Sequence, residues 1–392
     1  MEESFMKLKE LSVGLAVALG LTGCQSITKP TQGDPGSHDT IRLGGNWELT
    51  GQTSGYGVRP NRAIQLAVDQ QNAKGGLLNK SIEYINYDTR SMTEDTVINA
   101  SRLVSVEDVS IIFGTGSTNT AMSQLPTLDA AGVPLMGASL TGDRLTVDEE
   151  GQVRPNAFRV CFQDSFQGRV LANFSNQRGY KRAVIIKDNG TDYGQKLTDE
   201  FKKYYEGDIV AEESYVTKET DFNAVLTNIK QLKPDVIFVA GYYEEGGPLI
   251  QQARQLGIDA PILGPDGFGN EQLIKLAGAA NTDHVFYVAH FVPGSQASEQ
   301  VKAFQEAYKE RYGEEPDQFA ALGYDCARLT FDAMQRAQSD RPEDFKRELE
   351  KTVDYQGVTG KFTIDDHHNP IKSAFVVELS QGKIISATEI QP

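Results

Sequence analysis

One stretch of the sequence, residues 235–269, most constrains what this chain can fold into. Residues 236–240 form a short apolar run rich in β-branched side chains, and Gly241 ends it, as is typical of a parallel strand buried on both faces. Apolar residues at helical spacing follow, and Gly257 is placed to end that helix. Residues 262–263 have the character of a second short strand. The stretch therefore predicts one β-α-β unit, the repeating element of an α/β fold with a parallel sheet.

Polar and aromatic side chains follow both strands of this unit. Tyr242 and Tyr243 come directly after the first strand, and Asp266 comes after the second. Ligands of open α/β sheets bind beyond the carboxyl ends of the strands, so these three side chains are candidate ligand contacts. Two aromatic rings and a carboxylate at one rim can hold an ammonium group through a charge-assisted hydrogen bond and ring contact. The alternative is that Asp266 only begins a turn.

Length and composition bound the class of protein. A chain of 392 residues is too long for one ordinary core and suits two lobes of roughly 150 residues each. With 39% hydrophobic and 23% charged residues, the chain is globular rather than disordered. The formal net charge of −16 argues against a nucleic-acid partner or an anionic membrane surface, because both favour basic patches.

The three cysteines and five histidines form no metal-binding pattern. Cys161 and Cys326 could pair if Cys24 is modified, but their spacing gives no disulfide framework, and we expect two free, buried thiols. The adjacent pair His367-His368 lies in a polar turn and has no spacing typical of zinc. We therefore expect no metal and no cofactor.

The first 23 residues have the features of an export signal. An apolar run at residues 11–21 follows two lysines, and it is too short to span a bilayer comfortably. The run ends in Leu-Thr-Gly-Cys, which resembles the bacterial lipobox, where cleavage leaves a lipid-modified cysteine, here Cys24. Residues 1–23 are therefore predicted to be a lipoprotein signal peptide. The alternative is a plain secretory signal with a chance cysteine.

Two features flank this signal. The acidic residues that follow Met1 are unusual at such a start, so translation could begin at Met6. Residues 24–40 are rich in Pro, Gly, Ser and Thr without periodicity, which predicts a flexible tether. The folded part is expected to begin at residue 41.

Two loops in the first half of the chain carry candidate binding groups. Residues 48–57 form a glycine-rich loop, but no Gly-Lys-Ser/Thr and no Gly-x-Gly-x-x-Gly motif accompanies it, which argues against nucleotide binding. Residues 114–120 combine free backbone N–H groups, hydroxyls that include Ser117 and Thr118, and a helix start, and so predict an anion site of carboxylate size. The alternative is that these hydroxyls simply cap the helix.

Six short motifs, in matching order, give the chain a family resemblance. They include Gly241-Tyr242-Tyr243, the Gln-Ala-Arg-x-x-Gly-Ile helix, the Gly-x-Asp-Gly turn at Asp266, and Tyr193-Gly194. From residue 41 to its end, the chain resembles the extracytoplasmic amino-acid-binding proteins of branched-chain amino-acid ABC transporters, which have the periplasmic binding protein type 1 fold. The resemblance implies an α/β fold of two Rossmann-like lobes with parallel sheets, joined by a hinge of three crossovers.

The resemblance also implies where the lobes begin and end. Lobe 1 is expected to hold residues 41–160 plus 290–357, and lobe 2 is expected to hold residues 161–289 plus 358–392. Three C-terminal strands are expected to form the last return into lobe 2, at residues 362–364, 374–379 and 383–390.

In the resembled family the ligand carboxylate is held by lobe 1. Here the resemblance implies the hydroxyls of Thr118 and Thr141, helped by the Leu140 backbone. A serine is more usual at the first position, and Ser117 is the competitor of Thr118 for that role.

The resemblance places the ligand ammonium group at the turn of Asp266 and Gly267, where Asp266 and Tyr243 are expected to hold it. Three further rings are expected around the ligand: Tyr56 over it, Tyr193 closing on it, and Phe319 against its side chain. For Phe319 the alternative is ordinary core, because an aromatic residue at helical spacing is equally compatible with that role.

The resemblance implies a substrate-binding lipoprotein of an ABC importer, which captures a free amino acid and delivers it to the permease. It would be extracytoplasmic, lipid-anchored and monomeric, and leucine, isoleucine or valine is the favoured ligand. Leucine-type members place bulkier apolar residues where this chain has Gly116 and Ser117, which leaves room or polarity and keeps other neutral amino acids open. A sensor lipoprotein of the same fold, for another amino acid or small molecule, is an open alternative because it needs the same closed lobes.

An extracellular amidase or hydrolase is the enzyme alternative. It needs a nucleophile and a base, but the sequence has no Gly-x-Ser-x-Gly elbow, paired-histidine motif or metal cluster. The acidic pairs Glu244-Glu245 and Asp365-Asp366 are interpreted as solvated faces rather than acid/base couples. The sequence therefore predicts a binding protein without catalytic residues.

Overall fold

The computed structural model describes residues 39–294 and 298–392. The predicted signal peptide, the lipidation site Cys24 and the tether up to residue 38 lie outside the described residues. Within the described ranges, no helix combines the length and the apolar character that crossing a bilayer requires.

Five parallel strands of the first part of the chain form one sheet, in the order β2-β1-β3-β4-β5. These strands are β1 (Thr40–Trp47), β2 (Ser81–Asp88), β3 (Ile111–Phe113), β4 (Leu135–Gly137) and β5 (Ala157–Arg159). The accompanying helices are α1 (Ser54–Ala73), α2 (Thr93–Ser105), α3 (Thr118–Ala131), α9 (Glu299–Tyr312), α10 (Gln318–Ala337) and α11 (Pro342–Glu350). Helices α1 and α10 cover one face and α2 and α3 cover the other. We call this layered unit lobe 1.

A second sheet has seven strands in the order β15-β14-β10-β9-β8-β6-β7. Five of them are parallel: β6 (Arg182–Asp188), β7 (Asp208–Tyr215), β8 (Val236–Ala240), β9 (Ile262–Gly264) and β10 (Val285–Ala289). Two antiparallel strands complete it at one edge: β14 (Ala374–Ser380) and β15 (Lys383–Ile390). Its helices are α4 (Asp164–Gln177), α5 (Asp192–Tyr204), α6 (Asn223–Leu232), α7 (Tyr243–Gln255) and α8 (Glu271–Ala277). We call this unit lobe 2.

Strand β8 shows why residues 235–269 fold as predicted. Val236 and Phe238 pack into the cluster that contains α4 and α5, whereas Ile237 and Val239 pack into the cluster on the other face of the sheet. Alternate side chains of a strand point to opposite faces, so a strand covered on both faces must be apolar throughout. Gly257 follows α7 with a φ of 71° and ends the helix. The predicted β-α-β unit is confirmed.

The chain passes between the two large sheets three times. The first passage lies between β5 and α4, the second follows β10, and the third leads into β14. The predicted α/β fold of two lobes joined by three crossovers is confirmed, whereas the exact lobe boundaries stay a prediction. Cys161 and Cys326 are free and buried, as expected.

The prediction that residues 362–364 return to the lobe 2 sheet is wrong. They belong to β12 (Gly360–Ile364), which pairs antiparallel with two short strands in a separate three-stranded sheet. Gly360 has a φ of 106°, which allows a tight turn, so this hairpin closes locally before the chain reaches lobe 2. The partner strands are β11 (Tyr355–Gly357) and β13 (Pro370–Ile371).

Candidate ligand-binding site

Asp266 is the centre of the lobe 2 side of the site. It follows β9, and only 3% of its surface is exposed. The Tyr193 hydroxyl donates to Asp266 Oδ1 at 2.6 Å, and the Gly267 N–H donates to the same hydroxyl oxygen at 3.1 Å. The Asp266 N–H donates to Oε1 of Gln167 at 2.8 Å. Asp266 therefore begins a short turn and also presents a buried, oriented carboxylate.

His290 is a partner of Asp266 that sequence reasoning missed. Its Nε2 lies 3.1 Å from Asp266 Oδ2, and its ring is fully buried against Phe162. His290 follows β10, the strand that pairs with β9, so sheet pairing brings it beside Asp266. No sequence motif marks this histidine, and only the predicted order of strands could have indicated it.

On the lobe 1 side, Ser117 and Thr118 divide the two roles that the sequence left open. Ser117 is the N-cap of α3, and its hydroxyl oxygen accepts from the Thr120 N–H at 3.5 Å. The Thr118 hydroxyl oxygen accepts from the Gly142 N–H at 3.0 Å, which leaves the Thr118 hydroxyl hydrogen available to a ligand. Thr141 lies in the adjacent loop and is 4% exposed. The hydroxyls of Thr118 and Thr141 thus come together at the cleft.

Part of the predicted anion loop is occupied by a carboxylate of the protein itself. The Gly116 N–H donates to Glu48 Oε2 at 2.7 Å, and the Thr120 hydroxyl donates to Oε1 at 3.1 Å. Burial raises the pKa of Glu48 to about 7, although these donors act in the opposite direction. A Cβ atom on Gly116 would lie 2.8 Å from Cβ of Tyr56. The space that the sequence suggested beside Gly116 is therefore filled by Tyr56 and Glu48.

Aromatic rings from both lobes meet across the cleft. Helix α1 begins earlier than the sequence predicts, so Tyr56 lies in its first turn rather than in a loop. The Tyr56 ring centroid is 5.5 Å from that of Tyr242, 5.1 Å from Tyr243 and 5.2 Å from Phe319. The Tyr56 hydroxyl donates to the Gly267 carbonyl oxygen at 2.9 Å. These contacts connect lobe 1 with lobe 2, so the cleft is closed at this end.

The predicted residues converge on one small cavity of about 20 Å³, close to the minimum that a single water molecule needs. An amino acid needs more room, so the lobes or the rings must move to admit one. The cavity is lined by eight of the ten residues that the family resemblance assigned to the ligand and by three others, of which Tyr242 was already a candidate from its place after a strand. The predicted ones are Tyr56, Ser117, Thr118, Thr141, Tyr193, Asp266, Gly267 and Phe319, and the others are Gly116, Ser139 and Tyr242.

Two predicted residues do not line this cavity. The Leu140 side chain packs in the lobe 1 core, and its carbonyl oxygen accepts from Nη1 of Arg159 at 2.8 Å. The Tyr243 ring packs against Tyr56, and Tyr242 rather than Tyr243 lines the cavity. Their sequence neighbours Ser139 and Tyr242 line the cavity instead.

A larger cavity of about 570 Å³ adjoins the small one and shares Thr118, Tyr193 and Tyr242 with it. Its other walls are mostly charged or polar side chains, which include Arg144 and Lys196. We assign the ligand site to the smaller cavity despite its size, because it brings together the two hydroxyls of Thr118 and Thr141, the carboxylate of Asp266 and aromatic rings from both lobes. The larger cavity forms the rest of the cleft between the lobes.

The interpretation of Glu244-Glu245 as a solvated face is wrong. Glu245 is 2% exposed, and its Oε1 accepts from the Lys218 N–H at 2.7 Å. Burial raises the pKa of Glu244 to about 8. Helix α7 begins at Tyr243, several residues before its apolar periodicity starts, so its first turn is buried at the cleft instead of pointing into solvent.

No cluster of three or more His, Cys, Asp or Glu side chains in the described part of the chain is arranged to hold a metal ion. The groups that the site offers are hydroxyls, aromatic rings and one buried carboxylate, which suit an organic ligand that carries both an anionic and a cationic group.

Comparison with known proteins identifies the family. The family model described as periplasmic binding protein matches residues 40–383. The solved structure of the branched-chain amino acid transporter substrate binding protein LivJ from Streptococcus pneumoniae, in complex with isoleucine, is 37% identical with a TM-score of 0.85. That match covers 90% of this chain and 100% of the other.

Two further matches show a wider range of ligands. The leucine-, isoleucine-, valine-, threonine-, and alanine-binding protein of Pseudomonas aeruginosa is 24% identical over 331 residues, which are 84% of this chain and 86% of that protein. A solute binding protein of an ABC transporter from R. palustris, in complex with benzoate, has a TM-score of 0.77 at 22% identity, covers 90% of this chain and 98% of the other, and supports the fold alone. The chain therefore belongs to the periplasmic binding protein family and has the fold of the substrate-binding proteins of branched-chain amino acid ABC transporters.

Proposed function

We propose that this protein captures a free amino acid, with leucine, isoleucine or valine favoured, and delivers it to the permease of an ABC importer. The observation that carries the proposal is the position of the Asp266 carboxylate, which shares one cavity with the hydroxyls of Thr118 and Thr141. The protein is a binding protein and not an enzyme, in keeping with the family to which it belongs.

The two ends of a zwitterionic amino acid match the two sides of the cavity. The Thr118 and Thr141 hydroxyls on lobe 1 bind the α-carboxylate, and Asp266 on lobe 2 binds the ammonium group. Both charges leave water when the cleft shuts, so each needs a partner inside. Tyr242, which lines the cavity, supplies the ring next to the ammonium group that the sequence had assigned to Tyr243.

The chemistry of the cavity favours an amino acid over a simple carboxylate. Relatives in the same fold bind isoleucine or benzoate, and both of those ligands carry a carboxylate. Only the amino acid carries a positive charge to pair with Asp266, whose buried carboxylate would repel a purely anionic ligand. The Tyr56 and Phe319 rings provide an apolar wall for an aliphatic side chain.

Closure of the lobes gives the permease a shape to recognise. The contacts that join the lobes around the cavity include the Tyr56 bond to Gly267, the bond from Asn270 Nδ2 to the Gly55 carbonyl oxygen at 3.2 Å, and the Arg59–Glu271 ion pair at 3.3 Å. Ligand binding shifts the population toward a closed form that is wider at the cavity than this one, because only a closed form lets the ligand contact both lobes at once.

The proposal includes an extracytoplasmic location and a lipid anchor. The family name supports the location outside the cytoplasm, and the lipobox-like sequence before Cys24 supports the anchor. We propose a monomer on a tether of residues 24–40, with lobe 1 at residues 41–160 plus 290–357. Mass spectrometry of the N-terminal peptide of the membrane-extracted protein tests the lipidation of Cys24, and an unmodified cysteine would contradict it.

The direct test of the ligand is isothermal titration of residues 25–392 against the twenty free amino acids. The protein is first unfolded and refolded to remove any ligand carried through purification. Micromolar or tighter binding of leucine, isoleucine or valine is the expected result. Binding of none of the twenty would contradict the proposal and direct the search to other small molecules.

A further inference from the structure

We propose that His290 is a positioning residue of the ammonium site, whose imidazole N–H holds Asp266 in the orientation that receives the ammonium group of the ligand. This inference rests on the proposed function, because it assumes a ligand that carries an ammonium group. His290 directly follows β10 (Val285–Ala289), at the second passage of the chain between the lobes.

Three hydrogen bonds join His290, Asp266 and Gln318 in a closed ring. His290 Nε2 bonds to Asp266 Oδ2 at 3.1 Å. Gln318 Nε2 donates to the Asp266 carbonyl oxygen at 2.8 Å, and Gln318 Oε1 accepts from the His290 N–H at 2.9 Å. Gln318 begins α10 of lobe 1, whereas Asp266 follows a strand of lobe 2. The ring therefore holds the carboxylate at the point where both lobes and a crossover meet.

The partners of His290 determine which of its nitrogens carries the proton. A carboxylate oxygen only accepts hydrogen bonds, so Nε2 must donate. Nδ1 is buried and has no hydrogen-bond partner among the described residues, as suits the bare nitrogen of a neutral imidazole. Burial lowers the pKa of His290 to about 4, although Asp266 acts in the opposite direction. A neutral donor orients the Asp266 carboxylate without cancelling its charge, and the full negative charge stays available to the ligand.

Two further contacts limit the movement of this pair. The His290 ring stacks on Phe162 with centroids 3.5 Å apart and an angle of 20° between the planes. Tyr193 donates to the other oxygen of Asp266 at 2.6 Å, so the carboxylate is held at both oxygens. Without His290, Oδ2 would be a buried acceptor that lacks its donor, and the carboxylate could rotate away from the ligand.

The test compares His290→Phe, His290→Gln and His290→Asn in the mature protein by isothermal titration with L-leucine and with 2-hydroxy-4-methylpentanoate, which carries a hydroxyl in place of the ammonium group. His290→Phe is expected to weaken leucine binding about 10- to 100-fold, because a hydrogen bond to a charged group is lost. It should change binding of the hydroxy acid by less than about threefold. Glutamine can place an amide N–H where Nε2 lies and should retain leucine binding, whereas asparagine is too short and should behave like phenylalanine.

Several outcomes would overturn the inference. Equal losses for leucine and the hydroxy acid would show a general structural role, and unchanged leucine binding by His290→Phe would show no role. Equal behaviour of the Gln and Asn variants would show that the donor position does not matter. If His290→Phe fails to fold, the comparison of Gln with Asn carries the same test.

A measurement without ligand distinguishes this inference from failure of the proposed function. Histidine-labelled protein at pH 7 is expected to show, by nitrogen NMR, a neutral His290 protonated at Nε2, with the signal identified by its loss in His290→Gln. A proton on Nδ1, or a charged imidazolium, would overturn the positioning geometry whatever the ligand is. Failure of the wild type to bind any amino acid would instead overturn the proposed function, and the role of His290 in ammonium binding with it.

Discussion

Two buried carboxylates on opposite sides of the cleft serve different purposes. In lobe 1, both oxygens of Glu48 accept hydrogen bonds from the loop that leads into α3, and Glu48 does not line the small cavity. In lobe 2, both oxygens of Asp266 are also bonded, by Tyr193 and His290, yet Asp266 lines the cavity. Burial and hydrogen bonding alone therefore do not mark a ligand contact. Both carboxylates follow a parallel strand, so what distinguishes Asp266 is its direction: it lines the cavity, whereas Glu48 points at the protein's own residues 116 and 120.

The largest expected effect is on ligand binding by Asp266→Ala. Leucine affinity should fall at least about 100-fold, because the ammonium group would be buried without a counter-charge. Glu48→Gln should leave affinity within about tenfold, since Glu48 holds only the protein's own loop. Isothermal titration of both variants, with the exposed Asp366→Ala as a matched control, checks the difference. Near-normal affinity of Asp266→Ala for leucine would contradict the assignment of Asp266 to the ammonium group.

The next effect is on stability and concerns Glu48. Its pKa is raised from 4.5 to about 7 in the folded protein, so the folded state binds this proton more tightly than the unfolded chain. The free energy of unfolding should therefore fall as the pH rises through this window, and about 2.5 kcal/mol of it should be lost between pH 5 and pH 8. Glu48→Gln removes the titration and should flatten that slope, which denaturant unfolding of ligand-free protein measures. The exposed Glu299→Gln is the control, and an unchanged slope in Glu48→Gln would contradict the prediction.

A smaller effect is expected at Thr118, which contributes a neutral hydroxyl to the site instead of a carboxylate. Thr118→Val removes the acceptor of the Gly142 N–H and the hydroxyl donor to the ligand carboxylate. Leucine affinity should weaken about 10-fold, and Thr118→Ser, which keeps the hydroxyl, should stay close to the wild type. Titration of the two variants side by side is the measurement. Equal losses in both would show that the hydroxyl is not the cause and would assign the effect to packing.

The smallest expected effect is at the contact between the lobes. Tyr56→Phe keeps the ring but loses the hydrogen bond to the Gly267 carbonyl oxygen, a contact that only the closed form makes. Affinity should fall about fivefold through faster release, which stopped-flow measurement of ligand dissociation reports. Tyr243→Phe is measured beside it, because the Tyr243 hydroxyl also contacts lobe 1, at the Gly55 backbone, but Tyr243 does not line the cavity. A larger loss in Tyr243→Phe would restore the sequence-based assignment of Tyr243 to the ligand.

The local pattern of the chain predicted much of the fold. Strand β8 matches its predicted limits, because a strand buried on both faces is apolar throughout and glycine ends it. The resemblance implied a return into lobe 2 at residues 362–364, but a hairpin turn at Gly360 pairs that strand with its neighbours in a separate sheet. Periodicity indicates that a strand exists, but it does not indicate which strand it pairs with.

The sequence by itself determined the β-α-β units, the hydroxyl-rich loop before α3 and the carboxylate at Asp266, because each depends on residues close together in the chain. Only the tertiary structure decided that Tyr242 lines the cavity, that Glu48 fills the space beside Gly116, and that His290 holds Asp266. These outcomes depend on the direction in which a side chain leaves a strand end, and on which strands lie side by side. Both are consequences of long-range packing, which no short stretch of sequence encodes.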